Sequence, residues 1–341
     1  MHAVVVREHG SFDALQLEQC PMPEPGPAEV RVKMAAIGIN HLDTWVRRGV
    51  PGHQFPLPLI TSSDGAGTVD AIGDGVSAAA VGDEVIVLPG ISCGTCKFCR
   101  SERDPLCKDY AILGETRDGC AAEWIVVPAT NVVLKPSSIA FPAAASFCLA
   151  FQTAWSMLRR ANLQAGEAVL VHGAGSGVGT AAVQIAKLLG AEVIATAGTD
   201  AKCEAALDLG ADHAICYAQQ DFVEGVRKIR GRAGVDVVFE HVGAATFDGS
   251  VRCLARGGRL VTCGATTGGD VSLNLQRLFF KNLSLIGNTM GSRRDALEVI
   301  RLVGCGSLQP IVDRVLPMTD VHLAHELLES RRVFGKIVLT P

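Results

Sequence analysis

The sequence predicts an α/β protein in which a doubly wound parallel-sheet domain is inserted into a β-rich one. Three observations predict it. Residues 168–287 alternate short apolar runs with helical-looking stretches, the rhythm of a parallel sheet covered on both faces. The first third reads as short strands broken by turns. The last fifty residues return to the style of the first third rather than continuing the middle one.

Taken in order, 29–34 (Glu-Val-Arg-Val-Lys-Met) alternates polar and apolar residues as a half-buried strand should. Residues 65–72 and 84–88 are further strands, with Gly73-Asp74 and Gly82-Asp83 as turns. In the middle third the strands are predicted at 168–172, 192–196, 213–217, 235–240, 259–264 and 283–287, with helices at 179–189 and 201–209 among them. The tail carries a helix at 294–303, a run at 311–316, a helix at 321–330 and a final strand at 335–339. The expected boundaries are 1–148, 149–289 and 290–341, the last segment rejoining the first.

Composition narrows the class. Of 341 residues 48% are apolar and 19% charged, enough to build a large core and too apolar for disorder. A net charge of -4 with no basic patch argues against nucleic acid as a partner. No apolar run is long enough to span a bilayer, and residues 1–8 lack the pattern of a leader peptide, so a cytoplasmic protein with no membrane partner is expected.

The strand at 168–172 runs into Gly173-Ala174-Gly175-Ser176-Gly177-Val178-Gly179 and then a helix. Glycines allow the sharp turn and the close approach of a pyrophosphate, and the helix N-terminus offers free N–H groups and a positive dipole end. With a strand before it and a helix and second strand after it, this turn predicts a dinucleotide on a Rossmann-type fold, with Gly175, Ser176, Gly177, Val178 and Gly179 at the phosphates. The end of the second strand chooses the dinucleotide. NAD sites place an acid there for the ribose hydroxyls, whereas here Ala197-Gly198-Thr199 carries none before Asp200. Thr199 and Lys202 can meet a 2′-phosphate. The stretch favours NADP(H), with NAD(H) the alternative.

Twelve cysteines occur in a long chain without a leader, which points to metal or free thiols rather than disulfides. Cys93, Cys96, Cys99 and Cys107 cluster, and four thiolates suit one tetrahedral zinc with no open position, hence a structural ion. The other eight are scattered among apolar neighbours and read as core residues.

These features together resemble the medium-chain dehydrogenase/reductase superfamily, the zinc-type alcohol dehydrogenases and quinone oxidoreductases. The resemblance covers the whole chain and rests on Pro23-Glu24-Pro25-Gly26-Pro27, Gly38 to Asp43, Asp64 to Gly67, the four-cysteine lobe, the glycine turn, Gly287 to Gly291 and Val333 to Lys336. It implies a GroES-like catalytic domain, a Rossmann domain through which subunits pair, and a homodimer or homotetramer. It also implies that Thr153, Val242, Gly264, Thr289 and Met290 lie near the nicotinamide and that Phe334, Gly335 and Lys336 close over the cofactor.

One departure from the family pattern matters for chemistry. Zinc-type alcohol dehydrogenases have a Cys where Asn40 stands and a His-Glu pair where Ser63-Asp64 stands; Cys148 resembles the remaining ligand. One thiol with an amide, a hydroxyl and a carboxylate is a poor zinc site, and without a Lewis acid alcohol oxidation loses its mechanism. Asn40 in its motif is similar to the zinc-independent quinone oxidoreductases and enoyl reductases. The expected reaction is NAD(P)H-dependent reduction of a C=C bond conjugated to a carbonyl in a quinone, an enone or an enoyl-CoA such as a short branched one. Asn40 is the expected donor to the carbonyl or the cofactor ribose, and His41, His53, Ser63 and Asp64 are candidate proton-relay groups. The tyrosine acid of some enoyl reductases is missing from its place near Pro51; Tyr110 is the nearer of the only two tyrosines. The alternatives are an alcohol dehydrogenase with a rebuilt zinc site and a cofactor-binding member without turnover.

Overall fold

The computed structural model describes residues 1–341 as two compact units. One comprises 1–149 and 292–341; the other, 150–291, is inserted between them.

The outer unit is built on a seven-stranded, mostly antiparallel sheet. Glu29–Gly38 is its hub, pairing with Asp64–Ile72, Trp124–Pro128 and Lys336–Thr340. Val30, Val32, Ile37, Val69, Val85, Val87 and Leu339 meet on the buried side. A side chain such as Ile37, with no exposed surface, contributes about 1.5–3 kcal/mol over leaving it in water. The register puts Gly38 opposite both Asp64 and Val338. Asn40, two residues beyond Gly38, and Lys336, two residues before Val338, are therefore carried to the same end of the sheet as Asp64.

The inserted unit is a six-stranded parallel sheet. Its elements are β1 (Ala168–Val171), α1 (Gly177–Leu188), β2 (Glu192–Ala197), α2 (Asp200–Asp208), β3 (His213–Cys216), α3 (Phe222–Arg230), β4 (Val235–Glu240), α4 (Phe247–Cys253), β5 (Leu254–Thr262), α5 (Leu275–Phe280) and β6 (Ser284–Gly287). The spatial order is β3-β2-β1-β4-β5-β6. The order reverses between β1 and β4, the switch point at which such sheets bind ligands at their carboxyl ends. β1 is buried at every residue, which is why it reads as an unbroken apolar run. β5 begins at Leu254, five residues before the strand expected at 259. The cause is an irregularity of pairing between Val235 and Val237 that admits the polar stretch Ala255-Arg256-Gly257-Gly258.

No helix is long and apolar enough to cross a membrane.

Candidate active site and metal lobe

In the inserted unit the predicted dinucleotide residues gather at the carboxyl edge of the sheet. Gly173 has φ +55°, a conformation that side chains rarely adopt. A Cβ at Gly179 would collide with the Gly173 carbonyl and the Ser176 side chain, so α1 packs this close to the turn only with glycine there. Ser176 caps α1, its Oγ accepting from Gly179 N at 2.9 Å. The N–H groups of Gly177 and Val178 have no protein acceptor and stand free at the end of a twelve-residue helix. That is the fit a pyrophosphate requires.

Thr199 caps α2, its Oγ1 accepting from Lys202 N at 3.3 Å, which puts Lys202 in the first helical turn. The Asp200 carboxylate accepts from Gln219 Nε2 at 2.7 Å through one oxygen. Val242 follows β4, Gly264 follows β5, and Thr289 and Met290 follow β6, all on the same edge. Met290 is left-handed at φ +52°, and its carbonyl accepts from Asn288 Nδ2 at 2.7 Å. Thr153 lies on the helix Cys148–Arg160.

Beneath the turn, His172 is buried between Thr196 Oγ1 at 3.1 Å and Ser250 Oγ at 2.9 Å. Glu240 collects Val242 N, Gly243 N, Thr246 Oγ1 and Ser250 Oγ. Burial lowers the His172 pKa, against the pull of Glu240. This network orders the loops after β1 and β4.

In the outer unit the lobe brings its four sulfurs together, all within 4.8 Å of one another. Cys93–Cys99, Cys96–Cys99 and Cys93–Cys107 stand at 3.9, 3.6 and 3.5 Å. A tetrahedral zinc with Zn–S near 2.3 Å needs sulfurs about 3.8 Å apart, so the four thiolates fit the ion. Backbone N–H groups of Thr95 and Cys96 push the Cys93 thiol down to about 6, toward the thiolate that a metal takes. The lobe is held by Asp104, which accepts from Arg293 N at 2.8 Å, and by Glu102 with Arg294 at 2.5 Å.

The second polar centre is buried. Asn40 is 6% exposed, Asp64 0% and Lys336 5%. Asn40 Nδ2 donates to Asp64 Oδ2 at 3.0 Å. The Lys336 ammonium donates to Asn40 Oδ1 and stands 3.2 Å from Asp64 Oδ2. The other Asp64 oxygen accepts from Leu149 N at 2.8 Å. Asp43, also buried, accepts from Asn40 N at 2.7 Å and Ser62 N at 3.0 Å, pinning the left-handed Ser62 (φ +72°) that leads into Ser63 and Asp64. Desolvation outweighs those hydrogen bonds and raises the Asp43 pKa to about 7.

The relay candidates divide. Asn40 and Asp64 are joined directly. Ser63 Oγ is buried without a partner. His53 is half-exposed, 3.8 Å from Glu115 and edge-on to Phe55, with no hydrogen bond to this centre. His41 starts the helix His41–Arg48 and sits edge-on to Trp45. Phe334 is held by Asp313, and Gly335 at φ +95° makes the turn into the last strand. The Lys336 ammonium lies inside the Asn40–Asp64 pair.

Sequence reasoning misses this role of Lys336, because the pairing spans 272 residues and depends on sheet register. The capping role of Asp43 could have been found from the N-cap to N3 spacing of Asn40-x-x-Asp43. Tyr110, the nearer tyrosine, has its hydroxyl buried without a partner, and burial, then Asp104 and Cys148, raise its pKa.

A catalytic metal does not fit here. Its donors would be an amide, a hydroxyl, a carboxylate and the Cys148 thiol, whose pKa burial and then Asp64 push well above its ordinary value.

Residues 26–137 match the alcohol dehydrogenase GroES-like domain, and residues 177–304 match the zinc-binding dehydrogenase family. An NAD-dependent alcohol dehydrogenase of Sulfolobus acidocaldarius is 32% identical over 99% of each chain. The chain is a medium-chain dehydrogenase/reductase. An acryloyl-coenzyme A reductase of the same superfamily, from Metallosphaera sedula, is 30% identical over 100% of each chain. A solved structure named as an NAD-dependent alcohol dehydrogenase is 46% identical, with a TM-score of 0.96 and 100% coverage of both chains. As a member of this superfamily the protein is an oxidoreductase with a nicotinamide dinucleotide cofactor, and its two units are the GroES-like and Rossmann-like parts of that fold.

Proposed function

We propose that this medium-chain reductase adds hydride to an activated C=C bond conjugated to a carbonyl, with one structural zinc and no catalytic metal. The observation that carries the reading is the donor set where zinc-type alcohol dehydrogenases assemble a metal site: Asn40 and Asp64 are hydrogen-bonded to each other, Ser63 offers only a hydroxyl, and burial raises the Cys148 thiol pKa. In zinc-type alcohol dehydrogenases a Lewis acid helps the alcohol to lose its proton. A conjugated alkene needs only a stabilised oxygen on its carbonyl. The acryloyl-CoA reductase among the relatives supports the same choice.

Bound at the glycine turn, the reduced dinucleotide supplies hydride from C4 of its nicotinamide. The chain binds the pyrophosphate with the free N–H groups of Gly177 and Val178. Thr153, Val242, Gly264, Thr289 and Met290 position the nicotinamide, and Phe334 and Gly335 cover it. Asn40 orients the substrate carbonyl. Asp64 fixes Asn40 and Lys336. His41, His53 and Ser63 are the groups from which a proton can be passed. Cys93, Cys96, Cys99 and Cys107 hold the structural zinc.

NADP(H) is the preferred cofactor, because Ala197-Gly198-Thr199 offers no carboxylate to ribose hydroxyls and Lys202 stands in the next turn. The substrate is a small molecule, an enone, a quinone or a short enoyl-CoA, and the setting is cytoplasmic. The protein works as a homodimer formed through the inserted unit. There the edge strand β6 lies at one end of the sheet, and Leu275, Phe279 and Phe280 of α5 are exposed apolar residues.

The test is an assay of enones, quinones and enoyl-CoAs with NADPH and NADH separately. Alkene reduction, faster with NADPH, is expected. Alcohol oxidation with no activity on any alkene would overturn the reading in favour of a rebuilt alcohol dehydrogenase. Cofactor binding without turnover would leave a non-catalytic member.

A further inference from the structure

We infer that the inserted unit carries a second anion site, a cleft at the amino ends of β4 and β5 that takes the phosphate group of a small molecule. The inference is independent of the reaction proposed above, because the cleft and the glycine turn lie at opposite ends of the sheet. β1 and β4 run parallel, with Val169 beside Val237. The turn follows the carboxyl end of β1, and the cleft opens before the start of β4. At about 3.3 Å per residue, the two ends of a six-residue strand are roughly 15–20 Å apart.

The cleft has a volume of about 470 Å³. Four cationic side chains line it: Arg227 in the last turn of α3, Arg232 in the turn that follows, Arg252 at the end of α4 and Lys281 just after α5. No carboxylate lines it. Arg227 and Arg232 form no ion pair, and Arg252 stands 3.8 Å from an Asp248 that also meets Arg277 at 3.2 Å. Lys281 is half-buried and donates to the Leu254 carbonyl at 2.6 Å, which leaves two of its three N–H groups. Burial, then Arg277, lowers its pKa, and Arg256 lowers it further. Positive charge is thus gathered here until it opposes itself, in a chain whose net charge is -4.

Helix ends do not account for the charge. α3 and α4 both finish at this edge, and each C-terminus carries about half a negative charge. Together they offset about one of the four cations, and the exposed Asp248 offsets part of another. About two positive charges are left over, which a phosphate dianion matches. Guanidinium forks pair with phosphate oxygens two at a time, a geometry that a spherical anion does not reward. Val223 and Leu254 supply apolar wall beside the charges, and the volume exceeds what a bare phosphate needs, so an organic body can accompany it. The turn that carries Arg232 is fixed by glycine. Gly231 and Gly234 have φ +60° and +74°, and a Cβ at Gly234 would stand 2.5 Å from the Cys253 carbonyl oxygen. The turn therefore packs directly on the end of α4, beside Arg252.

The test is isothermal titration of the whole chain, saturated with its reduced dinucleotide so that the glycine turn is filled. Ribose 5-phosphate and inorganic pyrophosphate are titrated in turn at constant ionic strength. The expected result is one site per chain for at least one of them, weakened about 10-fold or more in Arg227→Gln/Arg232→Gln, with dinucleotide affinity unchanged. Both arginines are exposed and outside any ion pair, so the unligated variant should keep the wild-type Tm. Should it unfold early, Arg232→Gln alone is read in the same way. Tighter binding of ribose 5-phosphate identifies an ester as the ligand, and tighter binding of pyrophosphate a free polyphosphate; both uphold the site. No binding of either probe, binding that the variants leave unchanged, or a variant that loses dinucleotide affinity as well would overturn it.

Discussion

The four-cysteine lobe and the Asn40–Asp64–Lys336 centre belong to the same unit and are assembled in opposite ways. The lobe is local in sequence: four sulfurs from 93 to 107, partly exposed, around a short helix. Its sulfurs stand 3.5–3.9 Å apart in the contacts Cys93–Cys99, Cys96–Cys99 and Cys93–Cys107, the spacing that a tetrahedral zinc requires. The other centre is assembled from three distant strand ends, is almost fully buried, and has its positive charge built in as a side chain. The four thiols of the lobe suit a cation, and the other centre pairs a carboxylate with an ammonium. The two sites share no residue and no element, so each can be altered without touching the other.

The contrast is tested hardest at the lobe. Cys96→Ser removes one of four thiolates and should cost several kcal/mol of stability, since metal affinity in such sites is folding free energy. Thermal unfolding should show a large drop in Tm and loss of bound zinc, with the surviving folded molecules still reducing alkenes. A parallel loss of activity per folded molecule would mean that the lobe takes part in chemistry.

At the second centre, Asp64→Ala strands a buried ammonium and should cost about 3–5 kcal/mol. The double variant Asp64→Asn/Lys336→Met should recover most of that in a denaturant titration. Failure to recover would mean that Asp64 acts through packing or Leu149 N rather than through charge.

A third buried group in the same unit gives the pH dependence. His325 has no exposed surface and neither ring nitrogen has a partner. Burial, then Arg47, lowers its pKa to about 3. A histidine lowered on folding contributes stability that is complete above its unfolded value of 6.5 and declines as pH falls from there toward 3. Stability measured from pH 7 to pH 4 should fall, and His325→Phe should flatten that slope. An unchanged slope would assign the acid sensitivity elsewhere.

The smallest effect is expected at Tyr110. Its hydroxyl has no partner, so Tyr110→Phe should leave stability unchanged or raise it by about 1 kcal/mol. A marked loss of stability would reveal a hydrogen bond that the hydroxyl makes in solution.

Legible in the sequence is whatever depends on neighbours in the chain. β1 is buried on both faces, so its apolar run and the glycine turn after it announce themselves. The lobe does so through cysteine spacing. Hidden from the sequence is whatever depends on register. Lys336 reads as a cofactor residue from its place after Phe334 and Gly335; only the pairing of Gly38 with both Asp64 and Val338 turns it toward Asn40. The early start of β5 is hidden for a related reason, because Arg256-Gly257-Gly258 reads as a turn until the irregular pairing with β4 is seen.

The most direct test of alkene reduction without a catalytic metal is the metal content of protein that is active on a conjugated alkene, measured by elemental analysis after exhaustive dialysis. One zinc per chain at full reductase activity is predicted. Two zincs per chain, with activity that follows the second, would contradict it.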